Sequence, residues 1–547
     1  MKSLIHAPLS CLIGLAICGV VSWTAARPQA LLRPAGSPVA RSLGFSDDHH
    51  SIVRHIDERF ESRWRDAGLT PAEPADEFQI FRRLTLALFG SIPSLEDLRE
   101  FEADDGPDRL TRWAVTMLSD DRCADYLAER LSVAFLGDRD NDFPGFRRER
   151  FAAWLSGELK QGRHYDEIVR QTITATGQPT VSGPANFLSA EIAQGDQYAT
   201  RLAGRTARAF LGQRIDCAEC HDHPFADWKQ ADFQGLAAYF GQLARSNAGL
   251  YDARGREHMI ENRKTQAEET IAPCVPFHPE WLADRSPRRE QLAKWVTHPD
   301  NRRFRQAIAN RVWGLMFGKP YFAPVDDLPD PDQPETADAT KLLDLLGDDF
   351  AAHGFDVRRL ALVTVSSRPF RLASTHPQLE SPEAIGPLNT AWAVFPLVQL
   401  RTEQVSRSLQ QARTVQRLRS DDDVITRTHR AHWQKEFSEQ YGSLGELELD
   451  ERGGSIQQMV ERMAGRFTNE SINSGRRGAC RRIAEAQTDD RDCVDASFLV
   501  CLSRRPTQTE QDHFLEQLRS ARRAHRLHVV EDAFWAMINS PEFIWNH

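Results

Sequence analysis

Residues 78–101 read FQIFRRLTLALFGSIPSLEDLREF. Phe78, Phe81, Leu84, Leu86 and Leu88 fall on one apolar face, and Ser94 followed by Glu96-Asp97 has the pattern of a cap opening a second helix through Leu98 and Phe101. The same helical period recurs outward along the chain, and strand-like alternation is scarce. It predicts helices over Arg148–Leu159 and Gln197–Leu211 and a short one over Asp232–Phe240. Further on, Leu292, Trp295, Ile308, Val312, Trp313 and Phe317 recur at helical intervals, as do Lys341–Phe350 and Val357–Val365. The polar stretch beginning at Ser246 lacks periodicity and predicts an irregular linker over 246–285. The expected fold is therefore mostly α, with one helical domain over 48–245 and a second over 286–547. Within the second, the polar segment Thr402–Met463 is expected to form a solvated helical excursion, and the acid run Asp421-Asp422-Asp423 reads as a wet face. The last hundred residues return to globular helices, and no internal repeat is found.

Composition agrees with a folded chain of several units. The 547 residues include 41% hydrophobic and 27% charged side chains, with 29 Phe and 12 Trp, enough for a sizeable core. The formal charge is −10, from 68 cations and 78 anions, and only eight of the cations are Lys. Arginines are interspersed with acids and form no net basic block, which argues against a nucleic-acid partner. At the N-terminus, Lys2 precedes the uncharged run Leu9–Trp23, and Thr24-Ala25-Ala26 offers small residues before Arg27. Residues 1–26 thus read as a signal peptide and 27–47, rich in Pro, Gly, Ser and Arg, as a linker. The body is expected to be exported, periplasmic or extracellular. A membrane association is expected only if the N-terminal segment stays uncleaved as an anchor. A lipid-modified Cys18 is disfavoured by the bulk of Ile17 before it.

Nine cysteines are present. With Cys11 and Cys18 in the leader, Cys123, Cys217, Cys220, Cys274, Cys480, Cys493 and Cys501 remain, an odd and sparse set unlike a disulfide framework. Only Cys217-Ala218-Glu219-Cys220-His221 has a spacing that carries chemistry. Two thiols three residues apart can each add across a vinyl group of one porphyrin, and the following His can ligate its iron, which is the c-type haem pattern. Export suits this reading, because such haem is attached outside the cytoplasmic membrane. Two alternatives stay open. Cys217 and Cys220 can form a disulfide or remain inert thiols, or they can bind zinc together with Cys274 and His278. A distal haem ligand is not singled out among Met259, His258, His278 and Met316. His223 is too close to His221 to reach the opposite haem face, and it suits the turn or the metal reading better.

A resemblance extends from this motif. Phe210-Leu211-Gly212, Cys217 through Phe225, Trp228, Asp232-Phe233 and Leu236-Ala237-Ala238-Tyr239-Phe240 closely resemble the planctomycete-type cytochrome-c-like domain of unknown function (PSCyt type). Its paired-Arg helix and Gly-x-x-Pro turn are matched by Phe81-Arg82-Arg83-Leu84 and Gly90-Ser91-Ile92-Pro93. The second half is similar to the partner domain that usually follows it (PSD type). Arg289, Leu292-Ala293, Trp295, Pro299-Asp300-Asn301, Asn310-Arg311-Val312-Trp313, Phe317-Gly318 and Asp326-Asp327-Leu328 match its opening. Leu502 through Thr507, Glu510, Trp535, Asn539-Ser540, Glu542-Phe543 and His547 match its close. The stretch Asp138–Gly145 departs from the pattern, as does the absence of a Gly-rich turn near Cys274. The resemblance implies an exported component of a large system, without an established reaction.

Three functional classes therefore stand at this level. One is an electron-transfer protein with haem on Cys217, Cys220 and His221 and a redox protein partner. Another is a non-redox scaffold with a zinc or disulfide site, and the third is a component of extracellular polymer degradation. Asp138, Asp140 and Asp142 alternate as calcium ligands do, but Phe143 stands where the calcium loop needs Gly. Phosphate-loop, nucleophile-elbow and H-E-x-x-H motifs are absent from the sequence. Arg311, set among Ile308, Val312 and Trp313, requires a buried partner, for which Asp326 or Asp327 is expected.

Overall fold

The Asp76 carboxylate accepts the Phe78 amide at 2.8 Å and starts the helix Glu77–Leu88, whose residues from Ile80 onward are all buried. At Gly90 the backbone turns with φ +69°, and an added Cβ there would stand 2.4 Å from the Tyr126 ring, so only glycine fits. Ser94 and Asp97 then form a reciprocal capping box that opens the helix Leu95–Glu102. Both helices are those read from residues 78–101.

The computed structural model describes residues 47–137 and 147–547 except 194, 196, 224–227, 262–265, 283–284, 332–336, 381, 420–421, 423, 443–448, 450–454, 474, 476–477, 487–488 and 523–524. The expected signal peptide, most of its linker, and Asp138, Asp140 and Asp142 lie outside the described residues. The described residues belong to one unit, Phe45–His547, so the two halves expected from sequence share a single body. It is mostly helical. No helix among the described residues is long and apolar enough to cross a membrane.

Helices occur at Arg147–Lys160, Gln230–Ala238, Ala337–Ala352 and Val357–Ser366, and Tyr198–Thr206 continues as a π-turn over Ala207–Leu211. These correspond to the periodic segments of the sequence. The core of the second half is the helix Arg302–Phe317, opened by Asn301 and ended by Gly318 in the left-handed region. Trp313 stacks on Phe317 at 4.3 Å and on Phe60 of the first described helix, Asp47–Asp66, at 5.9 Å. This aromatic seam joins the two sequence halves.

Three expectations are corrected. The stretch 246–285 is not irregular throughout. Leu243–Ser246 pairs antiparallel with Gly249–Asp252, and His258–Glu261 with Glu268–Ile271. In the first hairpin each four-residue strand has two buried residues followed by two exposed ones, which leaves no alternation for a sequence reading to detect. The segment Thr402–Met463 is not solvated at its start. In the helix Thr402–Ala412, Val405, Ser406, Ser408, Leu409 and Gln411 are buried. Its polar residues act as tethers to the first half, as where Gln404 donates to the Leu86 carbonyl at 3.1 Å. Finally, Arg311 does not meet Asp326 or Asp327. Arg311 donates to the Ala209 carbonyl at 2.9 Å, while Asp326 pairs with Arg214 at 2.7 Å and Asp327 accepts the Arg214 amide at 3.3 Å.

Candidate functional site: an exposed Cys-x-x-Cys-His loop

The motif lies between two helices that fix both its ends. After the π-turn, Gly212 takes φ +62° and lets the chain pass within 3.1 Å of Leu328, measured from the Cβ it lacks. Ile215 then anchors the loop in the core, and Ala218 is the buried residue of the single 3₁₀ turn Asp216–Glu219. Alternation about Ala218 leaves Cys217, Cys220 and His221 exposed. Beyond the turn, the Asp222 carboxylate accepts the Gln230 amide at 2.9 Å and the Asp232 carboxylate accepts the Lys229 amide at 3.0 Å, so both carboxylates cap the helix Gln230–Ala238. That helix reaches back, since Gln230 and Gln234 both donate to the Glu219 carbonyl, at 3.3 and 3.0 Å. The His223 amide donates to the Trp228 carbonyl at 2.7 Å and closes the turn.

His221 carries the most informative contact. Its Nδ1 lies 2.7 Å from the Asp222 carbonyl oxygen. A carbonyl only accepts, so in the neutral ring Nδ1 holds the proton and Nε2 presents a lone pair to solvent. A carbonyl behind the far nitrogen is the arrangement that orients a metal-bound imidazole and raises its basicity. Two exposed thiols one turn apart therefore stand beside an imidazole in this tautomer.

Other candidate ligands are dispersed. Met316 is fully buried in the helix Arg302–Phe317. Met259 is 48% exposed on its strand. His258 is buried against Gln234, with Nε2 2.8 Å from Oε1, and burial lowers its pKa. His278 stacks on Trp281 at 4.1 Å, and Trp281 stacks in turn on His298 at 4.4 Å. Cys274 packs on the helix Gln230–Ala238, where a Cβ on Gly235 would fall 2.2 Å from its sulfur, and burial with Asp232 nearby pushes its thiol pKa up. Cys217, Cys220, Cys274 and His278 are not gathered into a tight zinc set. Among the described residues the group with ligand atoms within 4.8 Å of one another is Asp48, Asp349 and His353. Arg359 donates to both of those carboxylates, at 3.0 and 2.7 Å, which makes the group an ion-pair network.

All seven described cysteines are free thiols. Cys123, Cys480, Cys493 and Cys501 are buried, and burial raises the Cys123 thiol to about 12 and the Cys493 thiol to about 11, which keeps them protonated and unreactive. Sequence reasoning missed the Asp48–Asp349–His353–Arg359 network and the His278–Trp281–His298 stack. The first joins residues about three hundred positions apart and leaves no local signal.

Two family models match the chain. One, described as PSCyt2, a protein of unknown function (DUF1549), covers residues 55–245 and includes the Cys217–His221 loop. The other, PSD1, a protein of unknown function (DUF1553), covers residues 288–441, so the closing motif from Leu502 lies beyond the matched residues. No curated protein and no solved structure matches the chain. The chain therefore carries a PSCyt2 domain followed by a PSD1 domain, in the order that its sequence motifs implied.

Proposed function

We propose that this is an exported electron-transfer protein that binds a c-type haem covalently through Cys217 and Cys220, with His221 as the proximal ligand. The observation that carries the reading is the His221 tautomer beside two exposed thiols: Nδ1 is held 2.7 Å from the Asp222 carbonyl, and Nε2 is left to ligate iron. A haem attached here supplies one-electron transfer, and the protein's part is to attach it, orient it and keep it near the surface. Gln230 and Gln234 serve by fixing the Glu219 carbonyl, which holds the two thiols in one turn. A redox protein docking over this loop would be the partner, and the exposure of the loop suits such a role better than a buried substrate pocket would.

The test is production of the chain with its own leader in a bacterial host equipped for cytochrome maturation. A Soret band and a peroxidase-active band that survives denaturing electrophoresis are expected, and both should vanish in the double variant Cys217→Ser, Cys220→Ser. Colourless protein from a host that matures a control cytochrome would overturn the proposal, and zinc in that colourless protein would establish the scaffold reading.

A further inference from the structure

A second site is a half-open cleft of about 920 Å³. Its sides are the C-terminal part of the first helix, the loop after the helix Arg302–Phe317, and the residues that end the helix Pro382–Thr390. This volume is in the range of pockets that enclose small organic ligands. Aromatic residues form one wall, with Tyr321 and Phe322 half-buried and Trp392 buried behind Tyr321 in a near-parallel stack, 6.1 Å between centroids and 16° between planes. Among the described residues, Arg59, Arg63, Lys319 and Asp66 are the charged side chains that line the cleft.

Arg63 is set for an anion. It donates to the Tyr321 hydroxyl at 2.9 Å and to the Thr390 carbonyl at 2.9 Å, and both partners are neutral. Its position is therefore fixed while its charge is not cancelled by either contact. A guanidinium held this way binds a carboxylate with little further ordering cost. The backbone nearby is shaped for the same contact. Trp392 has φ +56°, an outlying conformation for a bulky side chain, and it is retained because the indole packs on Trp313 and Phe317 at 5.3 and 5.1 Å. That turn aims the Thr390 and Ala391 carbonyls at Arg63 and Trp64 of the first helix.

We infer that this cleft binds a small ligand carrying a carboxylate on a six-membered ring, with the carboxylate on Arg63 and the ring against Tyr321 and Phe322. An aromatic acid and a uronic acid share that chemistry. The site is independent of the haem proposal, since none of its lining residues belongs to the Cys217–His221 loop.

Calorimetric titration of the full chain distinguishes the sources with four probes: 4-hydroxybenzoate, 4-hydroxybenzamide, galacturonate and galactose. Saturable binding of at least one acid is expected, with its neutral counterpart bound more weakly. The variant Arg63→Gln should weaken the acid roughly ten- to a hundredfold, the worth of a charge-assisted hydrogen bond, while Arg54→Gln, exposed on the same helix, should not. Binding of the benzoate alone assigns an aromatic acid, and binding of galacturonate alone assigns a uronate. Failure of both acids to bind overturns the inference, as does equal binding of acid and neutral analogue. Should Arg63→Gln unfold, the comparison of acid with neutral analogue on the unaltered chain decides the matter.

Discussion

Arg83 is fully buried and, among the described residues, pairs with no side-chain carboxylate. Its Nε donates to the main-chain oxygen of His547 at 2.8 Å and its Nη1 to the carbonyls of Phe370 and Leu372 at 2.9 and 2.7 Å, and its guanidinium lies 3.7 Å from the Phe395 ring centre. Burial lowers its pKa, because desolvation opposes the charge. The planar fork satisfies three main-chain oxygens at once, which the single ammonium of a lysine cannot do. Replacing Arg83 by Met should therefore cost roughly 3 kcal/mol, the usual penalty for removing one side of a buried charged hydrogen-bond set, and Arg83→Lys should recover little of it. Urea denaturation would check this, and a loss under about 1 kcal/mol would mean that the carbonyls find water instead. At this scale the sequence was partly legible. Arg82-Arg83 were legible as the paired-Arg motif of the resemblance, but their acceptors lie as far as 464 positions away. The Cys217–His221 spacing was readable because the chemistry is local, whereas the Gln230 and Gln234 clamp on Glu219 depends on a helix folding back.

The first helix, Asp47–Asp66, shows how one element carries opposing acid responses. Burial, followed by the nearby Arg359 and His50, lowers the pKa of His49 from 6.5 to about 4. An unfolded chain takes up that proton near pH 6.5 and the folded chain only near 4, so the stability due to neutral His49 is complete above 6.5 and lost as pH falls to about 4. Asp57 acts in the other sense. Burial raises its carboxyl from 3.8 to about 6, so the folded state binds this proton first and gains relative stability as pH falls from 6 towards 3.8. The two largely offset each other in the unaltered chain. His49→Gln should remove one of them, so that the stability of the variant relative to the parent rises between pH 6.5 and 4.5. Parallel denaturation midpoints across that range would show that His49 is not held neutral. Helices were the legible elements, because those read from sequence present two or more turns of apolar period. Short hairpins were not. Gly249 illustrates the reason: it has φ +113°, and a Cβ on it would come within 2.1 Å of the Gly177 carbonyl carbon, a tertiary constraint with no local pattern.

Across the whole molecule, the two family segments depend on each other for their buried polar groups. Arg289 grips both oxygens of Asp252 at 2.8 Å and donates to the carbonyls of Ile173 and Ala175 at 2.9 and 2.8 Å. Leu328 and Gly212 share a backbone hydrogen bond at 2.7 Å, and Gln213 donates to the Leu328 carbonyl at 2.8 Å. Tyr165 stacks on Phe304 at 5.5 Å. In the other direction, Arg82 and Arg83 find their acceptors near the C-terminus. The order of the segments was legible from motifs, but their interlocking was not, since each ion or carbonyl pairs with a residue from the distant half. A chain ended after residue 285 would lose every acceptor of Arg82 and Arg83 and the packing that buries them, and would expose the aromatic seam around Phe60. Exposing many large apolar side chains at once costs several kcal/mol, which is comparable to the whole stability of a domain. The truncated chain should therefore bind a hydrophobic dye, lose its near-ultraviolet dichroism and melt without a cooperative step, whereas the full chain should unfold in one transition. A sharp, separate transition from the truncated chain would show that the first segment folds alone and that the cross-segment contacts are accessory.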